Sequence, residues 1–259
     1  MNTYVSKLFG LEGKVAVLTG AGGYLIGEFS RAFAKAGVSV VVADLRQDDT
    51  EKVVEQIKSD GGTAIPHVLD VHEKSQFKCT LDAAVDTYGQ VDVLVNGAGI
   101  NAPTPFLDIP AEEWDEVLTV QLRGTMFGCQ VFGEYMLERG AGSILNISSA
   151  SAGPPLSKAF TYSVAKAGIK NLTQNLAREW GESGVRVNAL RPGFFPTDWS
   201  KKNFLSKERT DAILGHTPMN RFGHPAELVG AVLWVNSDAA GFVTGSEIAV
   251  DGGFSCMTI

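Results

Sequence analysis

The sequence offers little that could be cross-linked or could ligate a metal. Its three cysteines, Cys79, Cys129 and Cys256, lie far apart in a chain of 259 residues. That odd, scattered set fits reduced thiols in a cytoplasmic protein better than a disulfide frame. The four histidines form no ligand-spaced cluster with cysteines or carboxylates, so no metal is expected. Basic residues are in the minority, 22 Lys and Arg against 29 Asp and Glu for a formal net charge of −7. A nucleic-acid partner needs a basic face, so none is expected. Nowhere does the chain run for about 18 apolar residues, so no membrane span is expected. Met1 to Leu11 lacks the apolar core of a signal peptide. Repeats, low-complexity blocks and linkers are also missing, and one domain over residues 1–259 is the economical reading.

What is present is an alternation. Short β-branched runs at Lys14 to Leu18, Val38 to Ala43, Ala64 to Leu69, Val91 to Val95, Ser143 to Ile147, Val185 to Leu190 and Glu247 to Val250 read as buried parallel strands. Helical patterns separate them, at about Leu25 to Ala36, Thr50 to Ser59, Glu73 to Tyr88, Ala111 to Glu138, Phe160 to Gly181 and Pro225 to Asn236. Such an order demands right-handed crossovers and a doubly wound α/β sheet covered on both faces. Residues 194–219 are the least regular and read as a short substrate lid.

Two features at strand ends suggest a dinucleotide. The first strand runs into Thr19-Gly20-Ala21-Gly22-Gly23-Tyr24-Leu25-Ile26-Gly27 and then a helix. A pyrophosphate can approach bare backbone amides there, at the positive end of the helix dipole. The second strand ends in Asp44, seventeen residues after Gly27. A carboxylate at that tip accepts both ribose hydroxyls of NAD and repels the 2′-phosphate of NADP, so NAD is the expected cofactor.

The chemistry is carried by Ser149, which ends the fifth strand, and by Tyr162 and Lys166 at the start of the next helix. Spacing of i and i+4 puts the phenol and the ammonium on one helical face. A free tyrosine has a pKa of about 10, and bringing it to about 7 requires roughly 4 kcal/mol of preference for phenolate. The expectation is that Lys166 and an oxidised nicotinamide supply it, while Ser149 holds the substrate oxygen.

With these pieces the chain resembles a short-chain dehydrogenase/reductase of the Tyr/Lys type, from about Leu11 to Phe254. The resemblance rests on the Thr-Gly loop, Asp70-Val71, Asn96-Gly97-Ala98-Gly99, Ser149, Tyr162, Lys166, Asn188 to Gly193 with Thr197, Arg221 to Pro225, and Val250 to Gly253. It implies a Rossmann-type sheet of seven parallel strands in the order 3-2-1-4-5-6-7 and a homotetramer packed through the two long helices. It also implies that Gly20, Gly23, Leu25, Ile26 and Gly27 line the pyrophosphate, that Asp70 and Val71 flank the adenine, and that Asn96, Ala98 and Gly99 back the cofactor. Tyr162 and Lys166 would reach the nicotinamide ribose, and Pro192, Gly193, Phe195 and Thr197 the carboxamide and phosphate.

Three positions depart from the family pattern. The glycine loop is one residue longer, Gly97 replaces a second asparagine, and Gln121 stands where an asparagine usually holds a water beside the lysine. Gln121 is therefore the expected relay residue. The loop and the endings resemble members acting on D-mannonate and related sugar acids, whose carboxylate and hydroxyls call for cations and donors. Asn101, Phe194, Trp199, Lys201, Lys202 and His216 are the candidate substrate contacts. A 3-oxoacyl thioester or a cyclic alcohol is the alternative substrate, and a catalytically silent NAD-binding sensor the alternative class.

Overall fold

In the computed structural model, which describes residues 3–197 and 205–257, the alternation becomes one sheet. Strands β1 Val15–Thr19, β2 Ser39–Asp44, β3 Ala64–Val68, β4 Val93–Asn96, β5 Gly142–Ile147, β6 Val185–Pro192 and β7 Glu247–Val250 are all parallel, in the order β3-β2-β1-β4-β5-β6-β7. The order implied by the resemblance is the order found, and the strand boundaries shift by at most two residues.

The alternation of side chains along each strand explains why both faces are apolar. Ala16, Leu18, Val40 and Val42 face one core, shared with Phe29 and Phe33 of helix α2 (Tyr24–Lys35), Val54 and Ile57 of α3 (Gln47–Ser59) and Leu228 and Val232 of the last helix, Ala226–Val235. Val15, Val17, Val41 and Ala43 face the other. There they meet Phe77 and Leu81 of α4 (Lys74–Tyr88) and Phe132 and Met136 of α6 (Gly124–Arg139). Each of these side chains is less than 9% exposed, and burying one of the larger ones contributes roughly 1.5–3 kcal/mol.

Some elements differ from the sequence expectation. A short helix, α1 (Thr3–Phe9), precedes the first strand; its seven residues were too few to show a period. The helix expected over Ala111 to Glu138 is divided into α5 (Ala111–Leu118), a π turn at Thr119–Arg123, and α6. A π turn inserts one residue into a continuous helix without ending it, so apolar periodicity does not report it. The presumed lid is not wholly irregular, since α8 (Lys207–Gly215) lies within it and is capped by Ser206, whose hydroxyl accepts from the Arg209 N–H at 3.2 Å. The remaining long helices are α7 (Phe160–Trp180) and α9 (Ala226–Val235). Among the described residues no helix is long and apolar enough to cross a membrane.

Candidate active site

The carboxyl ends of β1, β2, β4, β5 and β6 converge on one edge of the sheet, where doubly wound folds bind ligands. The β1 turn is tight for an identifiable reason. Gly20 has φ +70°, and a Cβ there would lie 2.6 Å from Ala98 Cα and 2.9 Å from the Gly97 carbonyl carbon. Thr19 holds the same neighbour, its Oγ1 accepting from the N–H groups of Gly97 at 3.1 Å and Ala98 at 3.3 Å. A Cβ at Gly23, by contrast, would meet only the Gly20 carbonyl, at 3.1 Å, so the loop is open on its outer side. Helix α2 begins at Tyr24, with Gly23 as its cap. First-turn amides of Tyr24, Leu25 and Ile26 have no carbonyl of the helix to bind. An open glycine cradle with unpaired first-turn donors suits a pyrophosphate, so the residues present fit a dinucleotide.

The lengthened loop finds its support at the tip of β2. Asp44 Oδ2 accepts from Gly22 N–H at 3.0 Å, and Oδ1 from Arg46 N–H at 3.3 Å. A carboxylate has about four acceptor sites, so two remain for ribose hydroxyls. Across the sheet, Asn96 is buried and its Nδ2 donates to Asn146 Oδ1 at 2.9 Å, coupling the β4 end to its β5 neighbour. Gly193 is packed against Asp251, whose Cα would lie 2.7 Å from an added Cβ. Pro192 ends β6, and the Phe195 ring packs over Gly223.

Ser149, Tyr162 and Lys166 come together. Lys166 is 4% exposed; its Nζ donates to the Ile147 carbonyl at 2.6 Å and lies 5.3 Å from the Tyr162 ring centroid. Ser149 Oγ accepts from the N–H (3.2 Å) and Oγ (3.1 Å) of Ser151, leaving its own proton free for a ligand or the phenol. Burial acts on both ionisable groups of this set. Burial raises the Tyr162 pKa above its ordinary 10, the neighbouring Ser149 hydroxyl working the other way. Burial also lowers Lys166 to about 7. The protein interior opposes both charges, and the lysine nitrogen is spent on a backbone carbonyl.

Gln121 lies within the π turn and is 1% exposed. Its Nε2 donates to the Ile100 carbonyl at 2.7 Å, and its Oε1 is buried without a protein partner among the described residues. The contact requires Gly99, where a Cβ would fall 2.8 Å from the Gln121 amide nitrogen and oxygen. Gln121 therefore braces the β4 loop, and its open acceptor is suited to a water.

Of the substrate candidates, Trp199, Lys201 and Lys202 lie outside the described residues. Asn101 is exposed beside the β4 loop. Phe194 and His216 both pack edge-on against Phe254, with centroids 5.1 and 4.9 Å away, and Phe194 also lines a cavity. Thr197 closes the described part of that segment and is engaged in a contact there.

Three side chains that sequence reasoning passed over make specific contacts. Ser151 supports Ser149. Arg209 of α8 donates to the Ser157 carbonyl at 3.1 and 3.0 Å and to its hydroxyl at 2.7 Å. This fastens α8 to the loop ahead of Tyr162, where Lys158 is held at φ +59°. His72 bridges Asp70 and Glu116. The pairing of Arg209 with Ser157 joins residues 52 apart, so no local pattern could reveal it.

A phosphate-sized turn and a hydroxyl–amine set on one edge of a parallel sheet define an oxidoreductase fold of the dinucleotide-binding class. Comparison with known proteins agrees. A family model described as enoyl-(acyl carrier protein) reductase matches residues 26–255. D-threitol dehydrogenase of Mycolicibacterium smegmatis is 33% identical over 247 residues, covering 95% of each chain. A gluconate 5-dehydrogenase of Burkholderia cenocepacia, solved with NADP and tartrate, superposes with a TM-score of 0.92 at 28% identity over 97% of this chain and 100% of its own. A candidate D-mannonate oxidoreductase from Haemophilus influenza with bound NAD gives a TM-score of 0.91 at 33% identity over 98% and 99%. The chain belongs to the short-chain dehydrogenase/reductase family.

Proposed function

We propose that the protein is an NAD-dependent dehydrogenase of the cytoplasm that interconverts a secondary alcohol and a ketone on a sugar acid or polyol. The observation that carries the reaction type is the buried Lys166 ammonium 5.3 Å from the Tyr162 ring, with Ser149 alongside. Ser149 and Tyr162 hold the substrate oxygen by hydrogen bonds. Tyr162 takes the hydroxyl proton in oxidation and returns it in reduction. Lys166, fixed by the Ile147 carbonyl, stabilises the phenolate, and the open Gln121 acceptor holds a water on the exit path. NAD, when bound, would take the hydride and bring a positive ring beside the phenolate.

Asp44 supports NAD over NADP, because a carboxylate at the tip of β2 with acceptor sites to spare can take ribose hydroxyls while its charge repels a phosphate. The threitol, gluconate and mannonate activities named for similar proteins support a polyhydroxylated substrate. Exposed Phe106, Leu107, Phe160 and Val164, the two phenyl rings 5.4 Å apart, form an apolar patch on the flank of α7 that supports self-association as a homotetramer. Lid residues 194–219 would then close over the substrate.

The test is turnover, followed by NADH absorbance, on keto-sugar acids, ketoses, an acetoacetyl thioester and cyclic ketones, with the protein sized by light scattering. Turnover confined to the first two groups is expected; a preference for the thioester or a cyclic ketone overturns the substrate class. Asp44→Ala is expected to shift the NAD to NADP ratio of kcat/KM towards NADP by on the order of tenfold or more. It should also raise KM for NAD, because Gly22 loses its acceptor. An unchanged ratio would remove the ribose argument.

A further inference from the structure

A histidine outside the catalytic set is placed where it can govern cofactor affinity. His72 follows Asp70-Val71, the β3 exit expected at the adenine. Its Nδ1 lies 2.6 Å from Asp70 Oδ1 and its Nε2 lies 3.0 Å from Glu116 Oε2, on α5. The His72 backbone N–H also donates to Asp70 Oδ1, at 3.0 Å. Ionised carboxylates only accept, so both bonds form together only when each ring nitrogen carries a proton. The geometry therefore describes an imidazolium clamped between two acids.

The clamp joins elements that matter for the cofactor. Helix α5 continues through the π turn that bears Gln121 into Gly124, where a Cβ would lie 3.0 Å from Val71 Cβ. The Asp70-Val71 loop is thus held to this helix twice, once by Val71 packing and once by the His72 bridge. We propose that His72 is a positioning residue for the adenine end of the dinucleotide, its imidazolium tying Asp70 to α5 so that cofactor affinity falls when the ring loses a proton. The proposal rests on the reading that Asp70 and Val71 flank the adenine.

The charged groups acting on the ring are Asp70 on its own loop and Glu116 on α5. Helix α4, packed beside the same loop, contributes the neutral Gln76, whose Oε1 accepts from Asp70 N–H at 2.8 Å. Hydrogen bonds to Glu116 and then Asp70 raise the His72 pKa above 6.5, and the Asp70 carboxyl is correspondingly lowered. For a raised base the interaction is complete below the unperturbed value and is lost as pH rises through the folded value. Above it, one ring nitrogen turns a lone pair towards a carboxylate, and a hydrogen bond becomes a repulsion.

The experiment measures NADH affinity by fluorescence from about pH 6 to about pH 9 for the wild type and for His72→Gln, Glu116→Gln and Asp70→Asn. The wild-type Kd is expected to rise about three- to tenfold across this range. His72→Gln should bind weakly and flatly throughout, with kcat at saturating NAD changed less than twofold. Lys166 changes charge in the same range, so the informative quantity is the difference between the wild-type and His72→Gln profiles. Parallel profiles overturn the proposal. Glu116→Gln removes the far anchor without touching the loop and should reproduce part of the flattening even if His72→Gln folds poorly; a wild-type slope there also overturns it. An Asp70→Asn variant with wild-type NADH affinity would instead show that the adenine lies elsewhere, which separates the two failures.

Discussion

Tyr162→Phe is expected to lower kcat by about 10³-fold or more while leaving NADH affinity within about twofold. The substitution removes one oxygen and keeps the ring, so the packing beside Lys166, 5.3 Å from the ring centroid, survives. Ser149 would still hold the substrate oxygen, but no group within reach would carry its proton. Lys166 Nζ is held by the Ile147 carbonyl at 2.6 Å, so it is not placed to hand a proton to the substrate oxygen in the phenol's stead. The pH profile should move with the same logic. In oxidation the rate of the wild type rises with pH as the phenolate becomes accessible, and any residual rate in Tyr162→Phe should lose that limb. Near-wild-type turnover, measured by NADH absorbance in both directions, would place the acid/base elsewhere.

The parts of this molecule legible in the sequence are those fixed by neighbours in the chain. The five central strands announced themselves because a parallel strand buried on both faces is apolar throughout, as at Val15 to Leu18, where alternate residues enter the two cores; the edge strands β3 and β7 are only partly buried. The Gly20 turn was legible because a positive φ and a 2.6 Å approach to Ala98 leave no room for a side chain. Tyr162 and Lys166 were legible because they are one helical turn apart. The charge states were not, because burial depends on everything packed around the group. The π turn at Gln121 hid inside uninterrupted helical periodicity. Its consequence, an amide spent on the Ile100 carbonyl against a glycine at 99, required knowing that α5 passes beside the β4 loop. Cations for a substrate carboxylate were sought at Lys201, Lys202 and His216; the His216 ring packs against Phe254, and Arg209, tied to Ser157, was not among them. Contacts between distant segments leave no trace at fixed spacing.

The buried lysine should reveal itself in stability as well as in rate: Lys166→Met is expected to be inactive and yet more stable than the wild type near neutral pH. Lys166 is 4% exposed and its pKa is brought from 10.5 to about 7 by burial. The unfolded chain therefore holds more protons than the native one between about pH 7 and about pH 10.5, and stability rises with pH across that window. Below it both states carry the charge, and the cost of burying it, about 5 kcal/mol at 1.36 kcal/mol per unit, is felt in full. Methionine removes that cost but strands the Ile147 carbonyl, which now accepts from Nζ at 2.6 Å; an unsatisfied buried acceptor costs about 1–3 kcal/mol. The difference favours the variant by roughly 2–4 kcal/mol at about pH 6.5. Urea unfolding without cofactor at about pH 6.5 and about pH 9 checks both the sign and the trend. The advantage should shrink at the higher pH, where the wild-type amine is already neutral in the fold. A variant less stable at both values would mean that the carbonyl contact outweighs the burial of the charge. A variant with the expected profile would show that the ammonium is held in the core at a cost to the fold, and that only the chemistry at Tyr162 accounts for it.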